Sequence, residues 1–115
     1  MHIKNSVKII KPWGYELIFT HTDKYIGKML HINAGHRLSL QYHEEKEETV
    51  LVISGTLYVY DSEGSITKFF PGEHYHVAPG QIHRFGASEK NVELIEISTN
   101  HPDDIIRISD DYARA

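Results

Sequence analysis

Four side chains stand at positions where their types and spacing could do chemistry: Gln41, His43, Glu48 and His83. Gln41 and His43 are two apart in "LSLQYH" and share one face of an extended strand, with Ser39 behind them. Glu48 opens the next apolar stretch, and its side chain falls beside the end of the preceding strand if the two pair as a hairpin. His83 lies in a later strand, after the turn Pro79-Gly80. An amide oxygen, a carboxylate and two imidazoles suit a divalent Zn, Mn, Fe, Co or Ni ion. With one carboxylate in the set, such an ion stays net positive and Lewis acidic. The bland alternative is a group of hydrogen-bonded polar side chains at the mouth of a barrel. A carboxylate buried without a partner costs several kcal/mol, so a site of this kind without a counter-charge would be strained.

The elements that must position these residues are short strands. "VKII", "YELIF", "YIGKMLHI", "LSLQYH", "TVLVIS", "TLYVY", "SITKFF", "HYHVA", "IHRFGA" and "VELIEIS" follow one another with turn residues between them, and helical periodicity is nearly absent. Many short strands with short connections predict an antiparallel sandwich or barrel. "TVLVIS" reads as a strand buried on both faces, because it is continuously apolar. "EEKEE" reads as a solvated hairpin end apart from Glu48. His74 and His76 share a face, as Tyr75 and Val77 do, and the apolar pair is expected inside. His2, His21, His31, His36 and His101 have no ligand spacing and read as surface or loop residues. Trp13 in "KPWG" reads as a packing anchor. The tail "HPDDIIRISDDYARA" predicts a last strand and a capping segment.

Composition narrows the class. The chain has 115 residues, no cysteine, nine histidines and a formal charge of −4. A single globular domain over 1–115 follows, without disulfides and with any metal held by nitrogen and oxygen. The acidic balance gives no pull toward nucleic acid or an anionic membrane. Neither a signal peptide nor a membrane-spanning run is visible, so a soluble cytoplasmic protein is the expectation.

The spacing itself resembles a family. Gly35, five residues, Gln41-Tyr42-His43, four residues, Glu48, six residues and Gly55 resembles the first motif of the cupins, over 35–55. Gly72, five residues, Ala78-Pro79-Gly80, two residues and His83 resembles the second, over 72–87. Gln41 replaces the first motif histidine, and Ala87 stands where an asparagine closes the second. Within the cupins, "KPWGYE", "SLQYH", "HRF" and "DDIIRISDDYAR" look like the type II phosphomannose isomerase domain, in which glutamine is common at the position of Gln41. The likeness runs from Lys11 to Arg114.

This resemblance implies an all-β cupin barrel (a double-stranded β-helix, or jelly roll) that binds one divalent transition metal through Gln41, His43, Glu48 and His83. It also implies isomerisation of a sugar or sugar phosphate between aldose and ketose, a homodimer, and Arg84 as a substrate-holding residue or a carboxylate partner. The catalytic base stays open among Glu44, Glu45, Glu47, Lys46 and the remaining histidines. Glu44, Glu45 and Asp111 add negative charge where the family carries histidine or a positive charge, which predicts a weaker hold on phosphate. Two further readings are a sugar-binding or regulatory cupin that keeps the metal without turnover, and a metal-dependent dioxygenase.

Overall fold

The computed structural model describes residues 6–115. Eleven strands form: β1 (Val7–Lys11), β2 (Gly14–His21), β3 (Tyr25–Ile32), β4 (Leu40–Tyr42), β5 (Glu48–Ser54), β6 (Leu57–Tyr60), β7 (Ile66–Phe69), β8 (His74–Val77), β9 (Arg84–Gly86), β10 (Val92–Thr99) and β11 (Ile106–Ser109). There is no helix among the described residues, and so none long and apolar enough to cross a membrane. A six-stranded sheet runs β1-β2-β3-β10-β5-β8, a three-stranded sheet β7-β6-β9, and β11 pairs with β4. All pairings are antiparallel.

The core follows the two-residue period of the strands. Leu30 and Ile32 of β3, Val50 and Val52 of β5, Leu57 and Val59 of β6, and Val92 and Leu94 of β10 point inward with Trp13, Val77 and Phe85. Trp13 is the packing anchor that its turn implied, and is 2% exposed. The expectation for "TVLVIS" needs correction. Val50 and Val52 are buried, but Leu51 and Ile53 are 40% and 47% exposed, because no described residue covers the outer face of the large sheet. Tyr75 and Val77 face inward and His74 and His76 outward, as the alternation required.

β4 and β5 do not form a hairpin. β4 pairs with β11 and β5 with β10 and β8, so the chain crosses between sheets over residues 43–47. The chain crosses back at Gly55, between β5 and β6, with φ +79°; a Cβ there would lie 2.3 Å from the carbonyl oxygen of Asn91. Only glycine takes both that backbone and that approach.

The C-terminal segment straps across the barrel. Asp111 accepts two hydrogen bonds from Arg37, at 2.7 and 3.0 Å, and the side chains of His36 and Tyr112 meet at 2.7 Å. Arg84, turned away from its inward neighbours His83 and Phe85, donates to the carbonyls of Leu38 and Ser109. Asp110 accepts a two-pronged pair from Arg114 with its own side chain 2% exposed. That guanidinium holds the Asp110 carboxyl down at about 2.

An unfolded aspartate titrates near 3.9, so Asp110 contributes stability above roughly pH 4 that is lost as pH falls toward about 2. Urea unfolding of the wild type should therefore lose more stability between pH 4 and 2 than Asp110→Asn does. Parallel losses in the two proteins would remove this role from the pair.

A candidate metal centre inside the barrel

Alternation on three strands and the turns beside them brings the ligand candidates together. His43 and Glu48 flank the crossing from β4 to β5, and His83 immediately precedes β9. Glu48 Oε1 lies 3.2 Å from His43 Nε2 and 3.2 Å from His83 Nε2, and all three side chains are 1–2% exposed. One ligand atom from each lies within 4.8 Å of the others. No other such group occurs among the described residues. Gln41 is joined to His83 by a reciprocal pair of backbone hydrogen bonds, 3.0 and 2.9 Å, and its amide oxygen accepts 2.6 Å from Ser39 Oγ. Gln41, His43 and Glu48 line one cleft.

The protons decide whether this set fits a cation. His43 Nδ1 lies 2.6 Å from the carbonyl oxygen of Asp104, and His83 Nδ1 lies 3.0 Å from that of Gln81. A carbonyl oxygen only accepts, so both Nδ1 atoms carry hydrogen, and each Nε2 presents a lone pair whenever its ring is neutral. Two Nε2 atoms and a carboxylate oxygen thus converge in a buried space, and His83 Nε2 has no aligned hydrogen bond among the described residues. A bound cation would satisfy all three atoms at once. The donor set fits a divalent transition metal, with Gln41 beside it as an amide oxygen donor.

Around Glu48 lies a chain of buried charge that sequence reasoning largely missed. Lys46 Nζ lies 3.5 Å from Glu48 Oε2 and 3.3 Å from Glu96 Oε2. Lys28 Nζ lies 4.0 Å from Glu96 and 3.4 Å from Glu16. Burial pushes Glu48 up, yet the two imidazoles and Lys46 hold it well below the carboxylate range. Burial and the charge of Glu48 push Glu96 up to about 8, against the pull of Lys46 and Lys28. Burial would lower Lys46, but Glu96 and Glu48 carry it above its ordinary value. Lys46 is therefore no part of a solvated hairpin end, whereas Glu44, Glu45 and Glu47 are exposed.

Glu96 was legible in "VELIEIS". Val92, Leu94, Glu96 and Ser98 occupy the inward positions of β10, and a carboxylate among them breaks an apolar row. Of the two roles expected of Arg84, the structure shows a carboxylate contact, with Asp111, and Arg84 does not line the cleft. The period of two sends it to the face opposite His83, where backbone carbonyls and nearby Asp111, at 3.8 Å, engage it. Burial, then the charge of Arg37, lowers its pKa. Asp111 is bound to Arg37, and its charge lies outside the cleft wall. His21, His31, His36 and His101 contact polar side chains on other elements, away from this set. His76 meets exposed Glu47 at 2.6 Å, and His2 lies outside the described residues.

The cleft encloses about 670 Å³ of empty space, part of it open to solvent. Its wall also carries Lys11, Arg107 and Arg114, and Arg107 Nε is buried without a partner among the described residues. Elemental analysis of protein purified without chelator should find near one divalent metal per chain, and His83→Ala should lose it. Wild type devoid of metal after loading with Zn²⁺, Mn²⁺ or Co²⁺ would remove the metal centre.

Comparison with known proteins identifies the family and the fold. The family described as mannose-6-phosphate isomerase C-terminal matches residues 1–110. A mannose-1-phosphate guanylyltransferase of Sinorhizobium fredii is 32% identical over 107 residues, which is 90% of this chain but 21% of that protein. The chain thus spans about a fifth of that relative's length. Among solved structures, a protein with a double-stranded β-helix domain from Klebsiella pneumoniae has a TM-score of 0.75 at 17% identity, covering 95% of this chain and 85% of that one. A sugar phosphate isomerase of the cupin superfamily from Silicibacter pomeroyi has a TM-score of 0.64 at 21% identity, covering 76% and 60%. At these identities the structures establish the fold, a cupin double-stranded β-helix. By fold, motif spacing and family match together, the chain belongs to the mannose-6-phosphate isomerase C-terminal family of cupins.

Proposed function

We propose that this domain is a divalent-metal-dependent aldose–ketose isomerase acting on a sugar phosphate. The observation that carries the reading is Glu96, a buried carboxylate in the wall of the cleft that Gln41, His43 and Glu48 also line. Its Oε2 has charged neighbours but no aligned hydrogen bond. The other acids of that wall are occupied. Glu48 belongs to the ligand set, Asp104 accepts from three backbone N–H groups, and Glu16 pairs with Lys28. Glu96 also pairs with Lys46, but it is the deeply buried acid of that wall whose Oε2 lacks an aligned hydrogen bond among the described residues. We assign the proton transfer to it.

In this reading the ionised form of Glu96, which grows as pH rises toward about 8, accepts the proton on C2 of the open-chain sugar and returns it to C1 through an enediol. The hydroxyl proton passes from O2 to O1, so atoms and electrons balance. Lys46 keeps the Glu96 carboxylate oriented and balances its charge. A divalent ion held by His43, Glu48, His83 and Gln41 would supply Lewis acidity at the sugar oxygens. Lys11, Arg107 and Arg114 at the wall supply cationic donors for a phosphate. The extra acids of the sequence do not oppose that, since Glu44 and Glu45 are exposed and Asp111 is paired with Arg37. The names of the guanylyltransferase relative and of the sugar phosphate isomerase are in keeping with a phosphorylated sugar.

Metal-loaded protein should catalyse exchange of C2–H for deuterium in D₂O on an aldose phosphate, with mannose 6-phosphate first in a panel, read by NMR. Glu96→Gln should keep its metal and lose exchange by roughly 10²–10⁴-fold. Silence of metal-replete wild type across the panel would favour a sugar-binding domain without turnover. We extend the proposal to a homodimer through the outer face of the large sheet, where Phe19, Leu51, Ile53 and Ile97 are 40–49% exposed. Sedimentation equilibrium should give twice the chain mass, and a monomer at tens of micromolar would exclude the dimer.

A further inference from the structure

His43 and His83 are oriented in unequal ways. The Nδ1–H of His83 is taken by a carbonyl two residues away, within its own turn. The Nδ1–H of His43 is taken by Asp104, sixty-one residues away, in the connection between β10 and β11. The same Asp104 extends its carboxylate to the loop that directly follows His43. Oδ1 accepts from the N–H of Glu44 at 2.9 Å, and Oδ2 from those of Glu45 and Lys46 at 2.7 and 2.9 Å. Three successive amides around one carboxylate form an anion-binding nest. Those bonds, the N–H of Glu44 first, hold the Asp104 carboxyl at about 2.

From this arrangement we infer that Asp104 is a positioning residue of the metal centre. Its carbonyl oxygen sets the tautomer and ring plane of His43, and its carboxylate fixes the backbone from which His43 and Lys46 project. The carboxylate and the carbonyl belong to one residue, so the loop and the ligand ring are held in a single register. The carbonyl of His43 accepts from Gly80 N at 2.6 Å and its Nε2 faces Glu48 at 3.2 Å, so Asp104 is the partner on the Nδ1 side of the ring. Without the nest, the loop over 44–46 gains three unpaired N–H groups and no longer delivers the carbonyl of Asp104 to Nδ1. The energetic logic is that of outer-layer partners of metal-bound histidine, whose loss weakens metal affinity by about 10–100-fold.

The inference rests on the metal centre and not on isomerase activity. Co²⁺ is the probe, with affinity measured by competition against a chromophoric chelator and geometry read from the visible absorption of the bound ion. Asp104→Ala should bind Co²⁺ at least about 10-fold more weakly than wild type, with altered bands. Asp104→Asn, which keeps one acceptor oxygen, should fall between them, and Asp103→Ala should match wild type. Asp104→Ala with wild-type affinity and spectrum would overturn the inference, however far its melting temperature falls. If that variant does not fold, wild-type affinity in Asp104→Asn overturns it equally. Wild type that binds no Co²⁺ would instead defeat the metal centre, and this inference with it. Adding Co²⁺ should also slow hydrogen exchange at the amides of 44–46 in wild type and not in Asp104→Ala.

Discussion

The interaction on which the rest of the structure depends is the buried carboxylate of Glu48, held between two imidazoles and an ammonium. A lone carboxylate at that depth would cost several kcal/mol, so everything nearby is arranged to supply compensating charge. His43 and His83 approach one oxygen, Lys46 approaches the other, and Glu96 then needs Lys46 and Lys28 in turn. The barrel interior is thus divided. An apolar half is sealed by Val50, Val52, Leu57, Val92 and Leu94, and the polar half is lined by alternating charges.

That division comes from the two-residue period of the strands. β10 places Val92 and Leu94 in the apolar half and Glu96 and Ser98 in the polar half of the same inward row. β3 does likewise with Leu30 and Lys28. The period explains Arg84 as well. It follows a ligand directly, so it must point the other way, and there it ties Leu38 to Ser109. Its contribution to the site is to hold down the C-terminal strap, from which Asp104, Arg107 and Arg114 reach the cleft.

The two imidazoles are held by contacts of different range. His83 is oriented within its own turn, by the carbonyl of Gln81. His43, Lys46 and the loop between them depend on a segment near the C-terminus, and are complete only when the strap is in place.

The sequence by itself determined the strand pattern, the placement of Trp13, the outward histidines of β8 and the spacing that brings His43, Glu48 and His83 together beside Gln41. These are readable because strand alternation and motif spacing are local, or survive as fixed intervals. Glu96 was readable by the same rule, as the one carboxylate in an inward row, and was passed over. Only the tertiary structure decided that β4 and β5 lie in different sheets, that Lys46 is buried, and that Asp104 holds His43. Each of those depends on which distant segment pairs with which, and neither propensity nor spacing encodes that choice. It is decided when the hydrophobic faces of the two sheets close on each other and the strap must find partners for its charges.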